Sequence, residues 1–181
     1  MGGDARTSGR AEIAAHALAY ADTLYHLARY LTGGAADAED LVQETYGRAF
    51  GAADQYTPGT NLKAWLFRIL RNAFLSQYRR QRGSPVVDTL DTVDPRLPEA
   101  PVAEWLRDDL ELDRLRKVVA GEIEQALLSL TEEGRTVILL DLEGLSEREI
   151  ADVMGCAAGR VKSRLSRARG ALRQRLQDYA R

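Results

Sequence analysis

Apolar residues recur along this chain at threes and fours, the spacing that lines one face of an α-helix. Ile13, Ala17, Tyr20, Leu24, Leu27 and Leu31 trace the first such stripe, starting at Ala11 and ending at Gly33-Gly34. Asp37 is placed to cap a second helix, with Glu39 and Asp40 in its first turn, where the helix dipole favours negative charge. Leu41, Val42, Tyr46, Ala49 and Phe50 carry that helix onward. Thr57-Pro58-Gly59 breaks the pattern. Thr60 or Asn61 then caps a third helix with Leu62, Trp65, Leu66, Ile69, Leu70, Ala73 and Phe74 as its apolar face, and Gly83-Ser84-Pro85 stops it.

Four of the five prolines, Pro85, Pro95, Pro98 and Pro101, fall in the next stretch. It is acidic and aperiodic and reads as a linker. Helical periodicity resumes near Trp105 and runs to about Leu130. Thr131 opens a further helix carrying Val137, Ile138, Leu139, Leu140 and Leu142, which Gly144 closes. Ser146-Glu147-Arg148-Glu149 is a capping box, in which hydroxyl and carboxylate satisfy each other's orphan backbone donors. The helix it starts holds Ile150, Val153 and Met154 and stops at Gly155. A last helix carries Val161, Leu165, Ala168, Leu172 and Leu176. No strand-like alternation and no internal repeat is visible. The expectation is an all-α protein of two small helical domains joined by an acidic, proline-containing linker. Residues 1–10 are expected to be disordered, 11–83 to form the first domain, 84–113 the linker and 114–181 the second domain.

Composition narrows the class. The chain of 181 residues is 45% hydrophobic and 29% charged, as in ordinary globular proteins. No apolar run approaches the length of a membrane span, and the first ten residues lack the apolar stretch of a secretory signal. One cysteine, Cys156, cannot form an internal disulfide, which points to the cytoplasm. It reads as a small packing residue in a turn rather than a redox sensor. His16 and His26 are the only histidines, so no zinc site, and no other metal or cofactor, is expected.

The formal net charge of −2 conceals an uneven distribution. Residues 61–82 contain Lys63, Arg68, Arg71, Arg79, Arg80 and Arg82 and no acid. Residues 158–181 contain Arg160, Lys162, Arg164, Arg167, Arg169, Arg173, Arg175 and Arg181 against Asp178 alone. Residues 83–113 are acidic, with Asp88, Asp91, Asp94, Glu99, Glu104, Asp108, Asp109, Glu111 and Asp113 against Arg96 and Arg107. Two basic blocks around an acidic middle point to a polyanion partner at two places, the alternative being two solvated helix faces. The same blocks should attract the acidic middle and make the free chain compact.

Residues 146–169 have the layout of a helix-turn-helix: a short capped helix, a turn at Gly155-Cys156-Ala157 and a second, basic helix. Val161, Leu165, Ala168 and Leu172 form one buried stripe, and the opposite side shows Ser163 centrally, Arg160 and Arg167 beside it, and Lys162 and Arg164 on the flanks. Such a helix can enter the major groove, where arginine pairs with guanine edges and the remaining cations meet phosphate. A basic amphipathic helix on a membrane surface is the other reading, but the aromatic apolar face such helices favour is missing. Residues 61–82 differ in kind, because cations interleave with Trp65, Phe67, Phe74 and Tyr78, preceded by Tyr56. Cations with aromatics suit single-stranded nucleic acid, whose bases stack or flip into pockets. For Trp65, core packing and DNA contact are equally reasonable.

Residues 37–46, Asp-Ala-Glu-Asp-Leu-Val-Gln-Glu-Thr-Tyr, and 59–72, Gly-Thr-Asn-Leu-Lys-Ala-Trp-Leu-Phe-Arg-Ile-Leu-Arg-Asn, resemble region 2 of bacterial sigma factors of the extracytoplasmic-function (ECF) group in the sigma-70 family. Residues 144–155 and 159–169 resemble their region 4. Two motifs in family order, with a linker between, carry the resemblance across nearly all of residues 11–177. It implies a non-enzymatic initiation factor that binds core RNA polymerase and recognises promoter DNA, as duplex and as melted single strand. Asp40, Gln43, Glu44 and Arg48 would dock on polymerase. Tyr56, Asn61, Trp65, Arg68, Arg71 and Asn72 would open and hold the minus-ten element. Arg160, Lys162, Ser163, Arg164 and Arg167 would read the minus-thirty-five duplex. An anti-sigma factor would hold the chain inactive, and the run from Gly59 to Leu66 is similar to members that answer redox stress through zinc-containing anti-sigma partners. The chain departs from many members at Ala157, Ala158 and Arg160, which bears on the minus-thirty-five preference. The main rival is a stand-alone helix-turn-helix regulator that binds duplex DNA without polymerase. A second rival, a nuclease using Asp37, Glu39 and Asp40 around a metal ion, competes with the dipole explanation of those acids.

Overall fold

The computed structural model describes residues 3–82 and 110–177, and all of its regular elements there are helical. The first half comprises α1 (Gly3–His16), α2 (Ala21–Thr32), α3 (Ala35–Gly51) and α4 (Leu62–Arg82). The second comprises α5 (Leu110–Leu128), α6 (Glu132–Leu142), α7 (Glu147–Met154) and α8 (Ala158–Arg175). The linker expected at 84–113 lies outside the described residues up to 109; its last four residues are already helix.

Local chemistry explains most boundaries. Gly33, at φ +78°, closes α2 in the left-handed conformation that glycine adopts freely. Asn61 caps α4, its Oδ1 accepting from the Ala64 N–H at 3.1 Å. Thr131 caps α6 by accepting from the Gly134 N–H at 3.2 Å. The capping box at the start of α7 is complete, with both Ser146 and Glu149 engaged, and Gly155 ends that helix at φ +63°.

Three expectations need correction. Residues 3–10 are helical rather than disordered, because α1 packs onto the loop before α4 and anchors itself through fully buried Ile13. The first stripe is two helices rather than one: a short 3-10 turn at Ala17–Tyr20 divides it. That turn leaves the Ala17 carbonyl to accept from the Tyr46 hydroxyl at 3.0 Å. The third concerns the start of α3, where the cap is Gly34 and no side chain caps the helix; Asp37 lies within the first turn, facing the positive end of the dipole, and Glu39 and Asp40, expected there, fall beyond it.

The first core is built on Ile13, Leu24, Leu41, Leu66, Phe67 and Leu70, and the second on Val137, Leu140, Ile150, Val153, Val161 and Leu165. The two are not separate. Their buried side chains belong to one contacting cluster, closed by α4 against α7 and by α2 against α6. Each half alone is small for a self-sufficient core, so mutual burial stabilises both.

Candidate nucleic-acid interface

The N-terminal end of α4 meets α7 at an open cleft of about 340 Å³. Its walls are Gln55, Thr57, Thr60, Asn61, Ala64, Trp65 and Arg68 from the first half and Glu149, Asp152 and Val153 from α7. Trp65 is 8% exposed and inclines against the Tyr56 ring, with centroids 5.2 Å apart. It is thus core and cleft wall at once. Tyr56 itself is buried, 4% exposed. Its hydroxyl lies 2.7 Å from Glu12 Oε1 and 2.8 Å from the Thr60 carbonyl, so one proton faces two acceptors. Burial, followed by the bond to Glu12, pushes the phenol up to about 12.

The other residues expected at the minus-ten element divide by exposure. Arg68 and Asn72 face solvent. Asn61 is exposed but engaged, since its Nδ2 donates to Glu149 Oε1 at 2.7 Å. Arg71 is half-buried against the second half, its charge facing Glu132 and Glu133, and its Nε has no hydrogen-bond partner. Burial pushes the Glu132 carboxyl up despite the neighbouring Arg71. Lys63, one of the cations of the 61–82 block, makes a second bridge: its Nζ lies 2.5 Å from Glu143 Oε2 and 2.8 Å from the Glu143 carbonyl oxygen. Of the six residues expected to meet the minus-ten strand, Arg68 and Asn72 alone are exposed with no described side-chain hydrogen bond; the Asn72 carbonyl accepts from the Ser76 hydroxyl at 2.7 Å within α4.

On α8, Val161, Leu165 and Ala168 are buried as the stripe predicts. Arg160, Lys162, Ser163 and Arg167 are exposed along the opposite side. Arg164 departs from the expectation. It pairs with Glu133 of α6, and its Nη1 donates to Cys156 Sγ at 3.5 Å. A flank position on α8 lies close enough to α6 for a long side chain to fold back.

On α3, Asp40 and Gln43 are exposed, whereas Glu44 faces inward. Glu44 takes Arg48 Nη2 at 2.5 Å on one oxygen and Gln77 Nε2 at 2.5 Å on the other. Burial raises its pKa, but the bonds from Gln77 and Arg48 outweigh that and hold the carboxyl below its ordinary value. Glu44 thus also joins α3 to α4.

Sequence reasoning missed Arg135. Its guanidinium donates to the carbonyls of Leu127, Leu128 and Leu130 at 3.0, 3.1 and 3.2 Å, closing the end of α5. It also reaches the Tyr30 carbonyl of the first half at 3.1 Å. No periodicity rule marks such a residue, because its partners are backbone atoms brought close only by the fold.

Two helical units, one with cations on α4 over buried aromatics and the other a helix-turn-helix with an exposed basic face, form a bipartite cationic surface of the kind that suits nucleic acid. The model for sigma-70 region 2 matches residues 17–84, and that for sigma-70 region 4 matches residues 120–172. The chain is 41% identical over 162 residues to the ECF RNA polymerase sigma factor SigE of Mycolicibacterium smegmatis, covering 88% of this chain and 58% of that protein. It is 37% identical over 156 residues to the ECF RNA polymerase sigma factor EcfG of Rhodopseudomonas palustris, covering 86% and 80%. Among solved structures, it resembles the sigma factor RpoE in its complex with the anti-sigma factor NepR from Bartonella quintana. There the TM-score is 0.66 at 32% identity, covering 92% of this chain and 97% of that one. The chain belongs to the ECF RNA polymerase sigma factors of the sigma-70 family.

Proposed function

We propose that this chain directs core RNA polymerase to promoters, without catalysing a reaction itself. In this reading the first half holds the melted minus-ten strand, and the second reads the minus-thirty-five duplex. The observation that carries it is the pair of unlike cationic surfaces in one chain, on the two halves that match region 2 and region 4. Asp40 and Gln43, exposed on α3, are the polymerase contacts, with Glu44 and Arg48 as the ion pair beside them. Arg68 and Asn72 meet the minus-ten strand first, and Asn61, Trp65 and Arg71 join once α7 moves away. Tyr56 supports that surface from behind. Arg160, Lys162, Ser163 and Arg167 face the duplex, and Arg164 follows if it leaves Glu133.

The closed arrangement favours regulation. With Asn61, Lys63 and Arg71 occupied by the second half, the chain is a poor DNA binder until polymerase spreads the halves. An anti-sigma factor, such as the one bound to the similar RpoE chain, would act by preventing that spread. This activity belongs in the cytoplasm, where polymerase works.

Run-off transcription tests the reading. Purified bacterial core polymerase plus this chain should yield discrete transcripts from genomic fragments, and neither component alone should. Specific binding to duplex promoter fragments by the chain alone, with no polymerase-dependent transcript, would replace it with the stand-alone regulator.

A further inference from the structure

Glu12 lies on α1, before residue 17, where the match to the region 2 model begins. Its carboxylate grips the loop ahead of α4 at two points. One oxygen is 2.7 Å from the Tyr56 hydroxyl, and the other accepts from the Gly59 N–H at 3.3 Å. Gly59 stands at φ +79°, a left-handed turn that reverses the chain just before the cleft. The α1 backbone lies close against the same loop. A Cβ on Gly9 would meet the Tyr56 carbonyl oxygen at 3.2 Å and the Ala53 carbonyl oxygen at 3.5 Å.

This contact leads directly to the cleft. Tyr56 supports Trp65, and Trp65 lines the cleft beside Asn61 and Arg68. A carboxylate near a nucleic-acid surface repels phosphate, so its placement here calls for a compensating role. The buried Tyr56 hydroxyl already has the Thr60 carbonyl, so satisfying it does not require a second acceptor from another helix. What Glu12 adds is orientation, because two bonds from one rigid carboxylate fix both the position and the rotation of the loop.

We propose that Glu12 is a positioning residue for minus-ten recognition, shaping loop 56–60 and through it the base preference of the region 2 surface. The proposal rests on the sigma-factor reading above and deepens it.

The test is selection from single-stranded oligonucleotides carrying a randomised block, using holoenzyme assembled from core polymerase and the full chain. Wild type should enrich a defined sequence. Glu12→Ala should flatten the preference at one or more positions by roughly tenfold, the scale of losing a hydrogen bond to a charged group. Glu12→Gln, which keeps one acceptor oxygen for Tyr56, should fall between. Helix content and affinity for core polymerase, measured on the same samples, should stay close to wild type. A Glu12→Ala preference within about twofold of wild type overturns the proposal. So does a uniform loss of binding with base preferences kept, which is what a loosened α1 would produce. If wild-type holoenzyme enriches no sequence, the sigma reading fails and this proposal with it. An intact wild-type preference left unchanged by Glu12→Ala overturns this proposal alone.

Discussion

Asn61 and Glu149 meet across the two halves of the chain, with Asn61 Nδ2 donating to Glu149 Oε1 at 2.7 Å. Each is capping its own helix at the same time. Asn61 Oδ1 accepts from the Ala64 N–H at 3.1 Å, and Glu149 Oε2 takes the Ser146 N–H and hydroxyl, both at 2.7 Å. One bond therefore links the starts of the helix proposed to hold the minus-ten strand and the first helix of the helix-turn-helix.

Replacing Glu149 with Ala removes the carboxylate half of the capping box and the bridge together, while the Ser146 hydroxyl still caps the helix through the residue-149 N–H. Leaving the Ser146 N–H without its acceptor should cost the second half about 1 kcal/mol. Loss of the bridge should let the halves separate more often, so the free chain should expand in X-ray scattering and bind single-stranded DNA more tightly. An unchanged radius of gyration would assign closure to the apolar contacts instead.

Acid should act on the same contact. Bonds from the Ser146 side chain and backbone, and then from Asn61, hold the Glu149 carboxyl below its ordinary value. A carboxyl depressed in the folded state contributes stability above its unfolded pKa, about 4.3 for glutamate, and that contribution fades as pH falls through the folded value. The chain should open as pH drops below that point. Glu149→Gln, unable to titrate, should reduce the pH dependence of the expansion, and an identical profile in both proteins would remove Glu149 as its source.

Arg135 should matter to folding more than any surface arginine. Arg135→Met leaves the carbonyls of Leu127, Leu128, Leu130 and Tyr30 without their shared donor. The expected loss is about 2–4 kcal/mol. Arg135→Lys keeps the charge but not the planar fork and should recover less than half of that. Urea unfolding of both variants measures the difference.

On α8, exposed Arg167 should contribute a phosphate contact. Arg167→Ala should lower the slope of log affinity against log salt for duplex promoter DNA by about one. In the free chain Arg164→Ala should lower it less, because Arg164 is already paired with Glu133. Equal slopes for the two variants would contradict the inward placement of Arg164.

Local rules were most reliable where the chemistry is local. Asn61, Thr131 and the Ser146–Glu149 box occupy the cap positions that their residue types favour, and Gly33 and Gly155 end helices in left-handed turns. Val161, Leu165 and Ala168 of the α8 stripe are buried as its spacing requires, and Leu172 is partly buried. The N-terminal residues were harder to read, because a small, polar composition resembles a disordered tail until a surface exists for it to pack against. Gly9 and Glu12 become informative only beside loop 53–60. Arg164 and Arg71 look like any exposed cations until Glu132 and Glu133 are brought opposite them.

By itself, the sequence determined that the chain is helical, where most helices begin and end, and that two segments carry cations suited to nucleic acid. Those properties arise from periodicity, capping and local charge, which act within a turn or two of the chain. Which cations are free and which are held was decided only by tertiary structure. Lys63 with Glu143 and Asn61 with Glu149 lie 80 and 88 residues apart in sequence. A hydrogen bond depends on distances of a few ångströms, and no pattern along the chain encodes such a distance between segments that only folding brings together.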